Sequence, residues 1–234
     1  MKIISLKRCS STNDEAKKIR PLKENSHTII TSEIQETGRG SKGRGWVSEP
    51  GGLYLSLLIC DREYGKEDIW GLTYKTALAV TDTIDFHLGE YGLESFIKWP
   101  NDVLVNEKKI CGILTDMQFC GDISPLAIIG IGINVNQKRF WGDYRREPTS
   151  CFLETGREFI LSDILNTLSE SLTFRLAEDC SSEYEKKCSS LGRIVSAAHI
   201  GGIITGKAVG ITNDGLLLIE REGEITACSS ELER

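Results

Sequence analysis

The stretch whose reading decides the fold is "HTIITSEIQETGRGSKGRGWVSEPGGLYLSLLI", His27 to Ile59. It contains a literal G-x-G-x-x-G at Gly38, Gly40 and Gly43, the spacing of a dinucleotide-binding turn. That turn needs a strand before it and, after it, a helix whose N-terminus faces the pyrophosphate. The strand is present in "HTIITSEI", but "WVSEPGGLYLSLLI" is broken by Pro50, Gly51 and Gly52 and continues as a second apolar strand. A P-loop fails too, because Arg44 or Trp46, not lysine, follows each suitably spaced glycine. What remains is a basic glycine loop between two strands. Its glycines expose backbone N–H groups, while Arg39, Lys42 and Arg44 add positive charge, a combination that suits an anion. An R-G-rich nucleic-acid arm and a plain surface loop are the alternatives at this point.

The rest of the chain narrows these choices. The formal net charge of −6 over 234 residues argues against a surface that grips nucleic acid, so attraction for phosphate must be local. The length suits one medium domain with a small appendage. No secretory signal or membrane-length apolar run is present, and the eight cysteines show no C-x-x-C pair. That pattern fits reduced thiols in the cytoplasm. The three histidines are far apart and form no ligand pattern.

Elements can be placed coarsely. "IISL" reads as a strand, followed by a helix with Thr12 as N-cap and Glu15 completing a capping box. Residues 68–88 have helical apolar spacing, as does the run opened by Ser162, with Ile164, Leu165, Leu168, Leu172 and Leu176 on one face. "SFIKWPNDVLVNEKKICGILTDMQF" reads as three strands with turns, and "LAIIGIGINVN" as a buried strand. After residue 188 the chain becomes short β-prone runs with turn signals such as Asn213-Asp214-Gly215. Residues 1–187 and 188–234 are therefore expected to be two domains, the second small, all-β and docked on the first.

Three further motifs carry chemistry. In "KWPNDVLV", Pro100 pushes Trp99 into an extended conformation, so Lys98 ends a strand where a point charge could neutralise two anions; on this segment alone, a tight turn with an exposed lysine is the better reading. In "IIGIGINVN", glycines inside a strand mark close approach by a ligand or backbone, with Asn134 near the strand end. In "SSTND", Ser11, Thr12 and Asn13 could donate to a ligand or simply cap a helix.

Taken in order, "SSTND", "QETGRGSKGRGW", "GGLYLSLLI", "KWPNDVLV", "KKICGIL", "IGIGINVN" and "PTSCFLETG" resemble the biotin protein ligases, over about residues 9 to 156. The resemblance implies an α+β fold of the class II synthetase-like, biotin ligase type. A mixed β-sheet catalytic domain flanked by helices would carry a small C-terminal SH3-like β-barrel. It implies that biotin and MgATP give biotinyl-5′-AMP and pyrophosphate, and that a lysine of a biotin carboxyl carrier domain then takes the biotinyl group. Lys98 and Arg39 would be catalytic. Ser11, Thr12, Asn13, Gln35, Gly38, Arg39, Gly40, Ser41, Trp46, Lys98 and Gly112 would bind biotin. Arg39, Gly40, Arg44, Lys98, Asn101 and Asn134 would line ATP and the adenylate. Mg2+ would be carried by ATP phosphates without a dedicated protein cage.

The loop departs from the family at Ser41, where a second arginine is common. The chain starts directly in the catalytic domain, so a DNA-binding domain and a repressor role are not expected; nor is a membrane partner. A homodimer is compatible with exposed edge strands. Two rivals stay open: a lipoate-protein ligase, which also forms an acyl-adenylate, and a non-catalytic biotin-binding regulator.

Overall fold

Alternation along the strands divides the molecule into an apolar side and a ligand side. The computed structural model describes residues 1–142 and 144–232; the Lys42 side chain, Asp143, Glu233 and Arg234 lie outside what is described. Seven strands form the main sheet: β1 (Lys2–Cys9), β2 (Thr28–Gln35), β3 (Leu53–Ile59), β4 (Ser95–Lys98), β5 (Asp102–Val105), β6 (Lys108–Met117) and β7 (Ala127–Ile133). Their order is β1-β2-β3-β7-β6-β5-β4. Only β1 and β2 run parallel, so the sheet is mixed as expected.

Leu53, Leu55, Leu57 and Ile59 of β3 join Ile129, Ile131 and Ile133 of β7 in the main core. Successive strand residues point to opposite faces, so Ser56, Gly130 and Gly132 face the other way. The long helix α2 (Asp68–Leu88) belongs to the apolar side, and its Ala77, Leu78, Val80 and Ile84 are buried in that core. Helix α4 (Leu161–Ala177) packs with it through Ile164, Leu168 and Leu172. The Arg175 fork grips Asp82 of α2 through Nε at 2.7 Å and Nη2 at 3.0 Å.

The short helix α1 (Thr12–Lys17) packs against the opposite face. Its N-cap is Ser11, one residue earlier than the sequence pattern suggests, and no side chain of the cap residue bonds the helix. Gln35 supplies the capping oxygen instead: its Oε1 accepts from Thr12 N at 2.8 Å and Thr12 Oγ1 at 3.1 Å. A residue from β2 thereby replaces the local capping box.

The chain then adds α3 (Cys151–Thr155), α5 (Ser181–Lys187) and a second sheet. That sheet contains β8 (Ile194–His199), β9 (Gly202–Ile211), β10 (Leu217–Arg221), β11 (Glu224–Cys228) and β12 (Ser230–Leu232), ordered β11-β10-β9-β8-β12. It is antiparallel throughout, and among the described residues no ladder joins β11 to β12. The sheet is thus small and open, not a closed barrel. Val195, Ala197, Ala208, Leu217 and Ile219 share the main core, so the second unit has no separate apolar centre.

The "KWPN" segment makes the joint between the two sheets. Trp99 is buried, and its indole Nε1 donates to Gly215 O at 3.0 Å. Trp99 N donates to Ser190 Oγ at 3.1 Å, and Ser190 Oγ donates to Glu231 Oε2 at 2.6 Å. The other oxygen of Glu231 lies 3.5 Å from Lys98 Nζ, with both side chains more than nine-tenths buried. Glu231 thus serves a buried ammonium and a buried hydroxyl at once, and losing such a shared buried partner is costly. Glu231→Ala should therefore lower stability by about 3 kcal/mol. Chemical denaturation would measure this, and an unchanged midpoint would refute a supporting role for the pair.

Candidate active site

A cavity of about 450 Å³ opens on the ligand side of the main sheet. Its floor is made by Gly112 of β6 and Gly132 of β7, which face each other in register, with Gly130 two residues along β7. The Trp46 indole lies across this pair: a Cβ at Gly112 would come within 2.7 Å of the ring, and one at Gly132 within 2.6 Å. Any larger residue at either position collides with the indole, so glycine is required by close approach. Trp46 Nε1 is buried with no hydrogen-bond partner among the described residues.

The segment Gly38–Trp46 is an ordered hairpin-like turn. Trp46 N donates to Gly38 O at 2.8 Å and Gly40 N to Arg44 O at 2.7 Å, with a short 3-10 turn over Ser41–Gly43 at the tip. Gly38 lies behind the cavity lining and closes this ladder; a Cβ there would sit 2.3 Å from Trp46 O. The apolar indole thus anchors one end of the loop while the basic residues stay near the mouth.

At the N-terminus of α1, a polar relay runs into the wall. Gln35 Nε2 donates to Ser48 Oγ at 2.8 Å, and Ser48 Oγ to Trp46 O at 3.3 Å. Ser56 Oγ lies 2.7 Å from Thr12 Oγ1 and 2.5 Å from Asn13 Oδ1. A hydroxyl has one proton and Thr12 spends its own on Gln35, so Ser56 cannot satisfy both acceptors. Turning the Asn13 amide over resolves the conflict, because amide O and N are assigned from their network. The relay then runs Asn13 to Ser56 to Thr12 to Gln35, and an Asn13 oxygen takes the buried position where Nδ2 has no protein partner. Either orientation leaves a buried polar atom in the cavity wall that a ligand can satisfy.

Among the described residues, Lys109 is the lysine that lines the cavity. Its Nζ lies 2.7 Å from Asp102 Oδ1 and 5.3 Å from the centre of the Trp46 ring. Asp102 and Gly112 are cross-strand partners, so β5 and β6 bring carboxylate, ammonium and glycine floor together. Arg39 donates through Nη2 to Asp14 Oδ2 at 2.8 Å, while Arg44 turns back onto Ser41. The opposite wall comes from Phe140, Trp141, Tyr144, Arg145 and Arg146. Asn134 Nδ2 donates to Thr149 O at 2.9 Å, fixing the chain just after that wall to the end of β7.

Of the residues expected from sequence, Ser11, Thr12, Asn13, Gln35, Arg39, Gly40, Ser41, Arg44, Trp46, Asn101, Gly112 and Asn134 line this one cavity. Gly38 supports it from behind. The expectation for Lys98 needs correction: this lysine does not line the cavity and is turned toward Glu231 of β12. Lys109 lines the cavity instead. Its signal was present in "KKICGIL", where a lysine precedes a strand glycine by three residues.

No thiol is poised as a nucleophile here. Burial pushes the Cys111 thiol well up and the Cys151 thiol to about 12, so both stay protonated at neutral pH. Among the described residues no three His, Cys, Asp or Glu side chains cluster as a metal cage.

The site defines a class that comparison with known proteins identifies. Residues 5–134 match the biotin/lipoate A/B protein ligase family, and residues 190–230 match the biotin protein ligase C-terminal domain. The chain is 31% identical to the bifunctional ligase/repressor BirA of Bacillus spizizenii, covering 96% of this chain and 71% of that protein. A biotin–[acetyl-CoA-carboxylase] ligase of Paracoccus denitrificans is 36% identical over 130 residues, 56% of this chain and 53% of that one. The Aquifex aeolicus biotin protein ligase, solved with biotin and ATP, superposes with a TM-score of 0.82 at 29% identity, covering 98% of this chain and 96% of that one. The chain belongs to the biotin/lipoate A/B protein ligase family, and it carries that family's biotin ligase C-terminal domain.

The glycine floor gives a direct test. Gly132→Ala should drive the indole off the sheet, moving the Trp46 indole N–H resonance, assigned with Trp46→Phe. An unmoved resonance would contradict the stacking described.

Proposed function

We propose that this protein is an ATP-dependent biotin ligase that forms biotinyl-5′-AMP and passes the biotinyl group to a lysine of a biotin carboxyl carrier domain. The observation that carries the proposal is Lys109, held by Asp102 on the floor of a cavity with a neutral polar wall and several arginines. A ureido head carries two N–H donors, and the Asn13–Ser56–Thr12–Gln35 relay at the start of α1 offers neutral acceptors toward which they can point. The flat apolar surface of Trp46 suits the rings and tail.

In the first step a biotin carboxylate oxygen bonds to the α-phosphorus and the α–β bridging P–O bond breaks, releasing pyrophosphate. Two anions must meet, and the Lys109 ammonium lowers that repulsion as a point charge. Asp102 keeps the ammonium in place on the floor. Arg39 and Arg44 attract the phosphates from the loop, and Mg2+ travels with ATP as part of the substrate. In the second step the neutral acceptor amine bonds to the acyl carbon, AMP leaves with the electron pair of the C–O bond, and the surplus N–H proton is released to solvent. Neither step needs an enzyme nucleophile, consistent with protonated Cys111 and Cys151.

Residues 1–187 would perform this chemistry and residues 188–234 would brace it from β12. No described helix is long and apolar enough to cross a membrane, and a cytoplasmic carrier domain is the acceptor we assign. Lipoate is the competing substrate, since the family name covers both acids.

Pyrophosphate release and acyl-AMP mass should be measured with biotin and, separately, with lipoate. Turnover with biotin alone is expected; turnover only with lipoate would replace the substrate. Lys109→Ala should reduce adenylate formation by about 100-fold or more, as loss of a preorganised charge does elsewhere. Lys98→Ala should act mainly on stability. The reverse order of effects on adenylate formation would restore Lys98 as the catalytic lysine.

A further inference from the structure

We propose that Ser41 is a positioning residue: it clamps the Arg44 guanidinium so that its remaining donors face the phosphate chain of ATP. This rests on the ligase reading above and assigns the loop a part that the position of Arg39 leaves open.

The two loop arginines are differently committed. Arg39 is already paired with Asp14 at 2.8 Å. Arg44 lines the cavity and has no carboxylate partner among the described residues. Among the described residues its guanidinium hydrogen bonds go to one residue, Ser41: Nε donates to Ser41 O at 3.1 Å and Nη2 to Ser41 Oγ at 2.8 Å. Two bonds on one edge of a planar fork fix its plane, and they leave the Nη1 donors and one Nη2 hydrogen uncommitted. A guanidinium held in this way can meet a phosphate end-on, with less side-chain entropy to lose on binding.

The turn itself is built to hold the clamp. Gly40 N donates to Arg44 O at 2.7 Å and Arg44 N to Ser41 O at 3.4 Å, closing the tip on both sides. Gly43 sits at φ +72°, a left-handed conformation that favours glycine and returns the chain toward Ser41. The hydroxyl is the one part of the clamp that depends on the side chain at position 41. Alanine there keeps the carbonyl contact and lets the guanidinium pivot about it. Threonine keeps both contacts.

The test is a double-mutant cycle on ATP affinity and on adenylate formation, using Ser41→Ala, Ser41→Thr, Arg44→Ala and the Ser41→Ala/Arg44→Ala double variant. ATP binding by calorimetry without biotin is read separately from kcat and KM for biotinyl-AMP synthesis. We expect Ser41→Ala to weaken ATP binding and raise its KM about fivefold, the scale of one exposed hydrogen bond to a charged group. Ser41→Thr should restore the parent value, and Ser41→Ala should have no further effect once Arg44 is alanine. Equal ATP affinity for parent and Ser41→Ala, or additive losses in the double variant, would overturn the proposal. If the parent bound ATP with this pattern but made no biotinyl-AMP, the ligase reading would fail while the clamp survived.

Discussion

The structure depends on one constraint: an indole must lie flat on two strands at once. Trp46 can do this only because Gly112 and Gly132 face each other across β6 and β7 without Cβ atoms. The same alternation that puts Ile129, Ile131 and Ile133 into the core puts Gly130 and Gly132 under the cavity. Hydrophobic packing on one side thereby fixes the clearance on the other. The basic loop is held because its last residue is anchored in this way and its first, Gly38, bonds back to Trp46 N.

Charge is then distributed around a floor that is itself uncharged. Lys109 enters from the edge of β6, restrained by Asp102 on the neighbouring strand. Arg39 and Arg44 come from the loop, the first neutralised by Asp14 and the second clamped by Ser41. A net charge of −6 on the whole chain is compatible with this arrangement because the cations converge on one cavity. The neutral polar wall at α1 lies among the same lining residues, so one cavity presents two kinds of chemistry.

Much of this was legible in the chain itself. The helix over Asp68–Leu88 followed from its apolar period, and strands β2 and β3 followed from the apolar runs that flank the loop. That flanking pair excluded a dinucleotide turn despite its G-x-G-x-x-G spacing. Lys98 was misplaced because its environment is set by Glu231, distant in sequence and invisible to local pattern. Thr12 was taken as a cap for a similar reason: the oxygen that caps α1 belongs to Gln35 on β2. Phe140, Trp141 and Tyr144 gave no periodic signal, and only the fold of the segment after β7 brings them to the cavity. The closed barrel expected after residue 188 is an open sheet, because strand content can be read from turn signals while closure depends on pairing.

In the proposed reaction the carboxylate attacks the α-phosphorus, with Lys109 between the two anions. The most direct measurement follows phosphorus label through a single turnover with biotin, using ATP labelled at the α- or the γ-phosphate. The expected result is α-label in biotinyl-AMP and γ-label in pyrophosphate. Release of γ-label as inorganic phosphate together with ADP would place the attack at the other end of the nucleotide and contradict it.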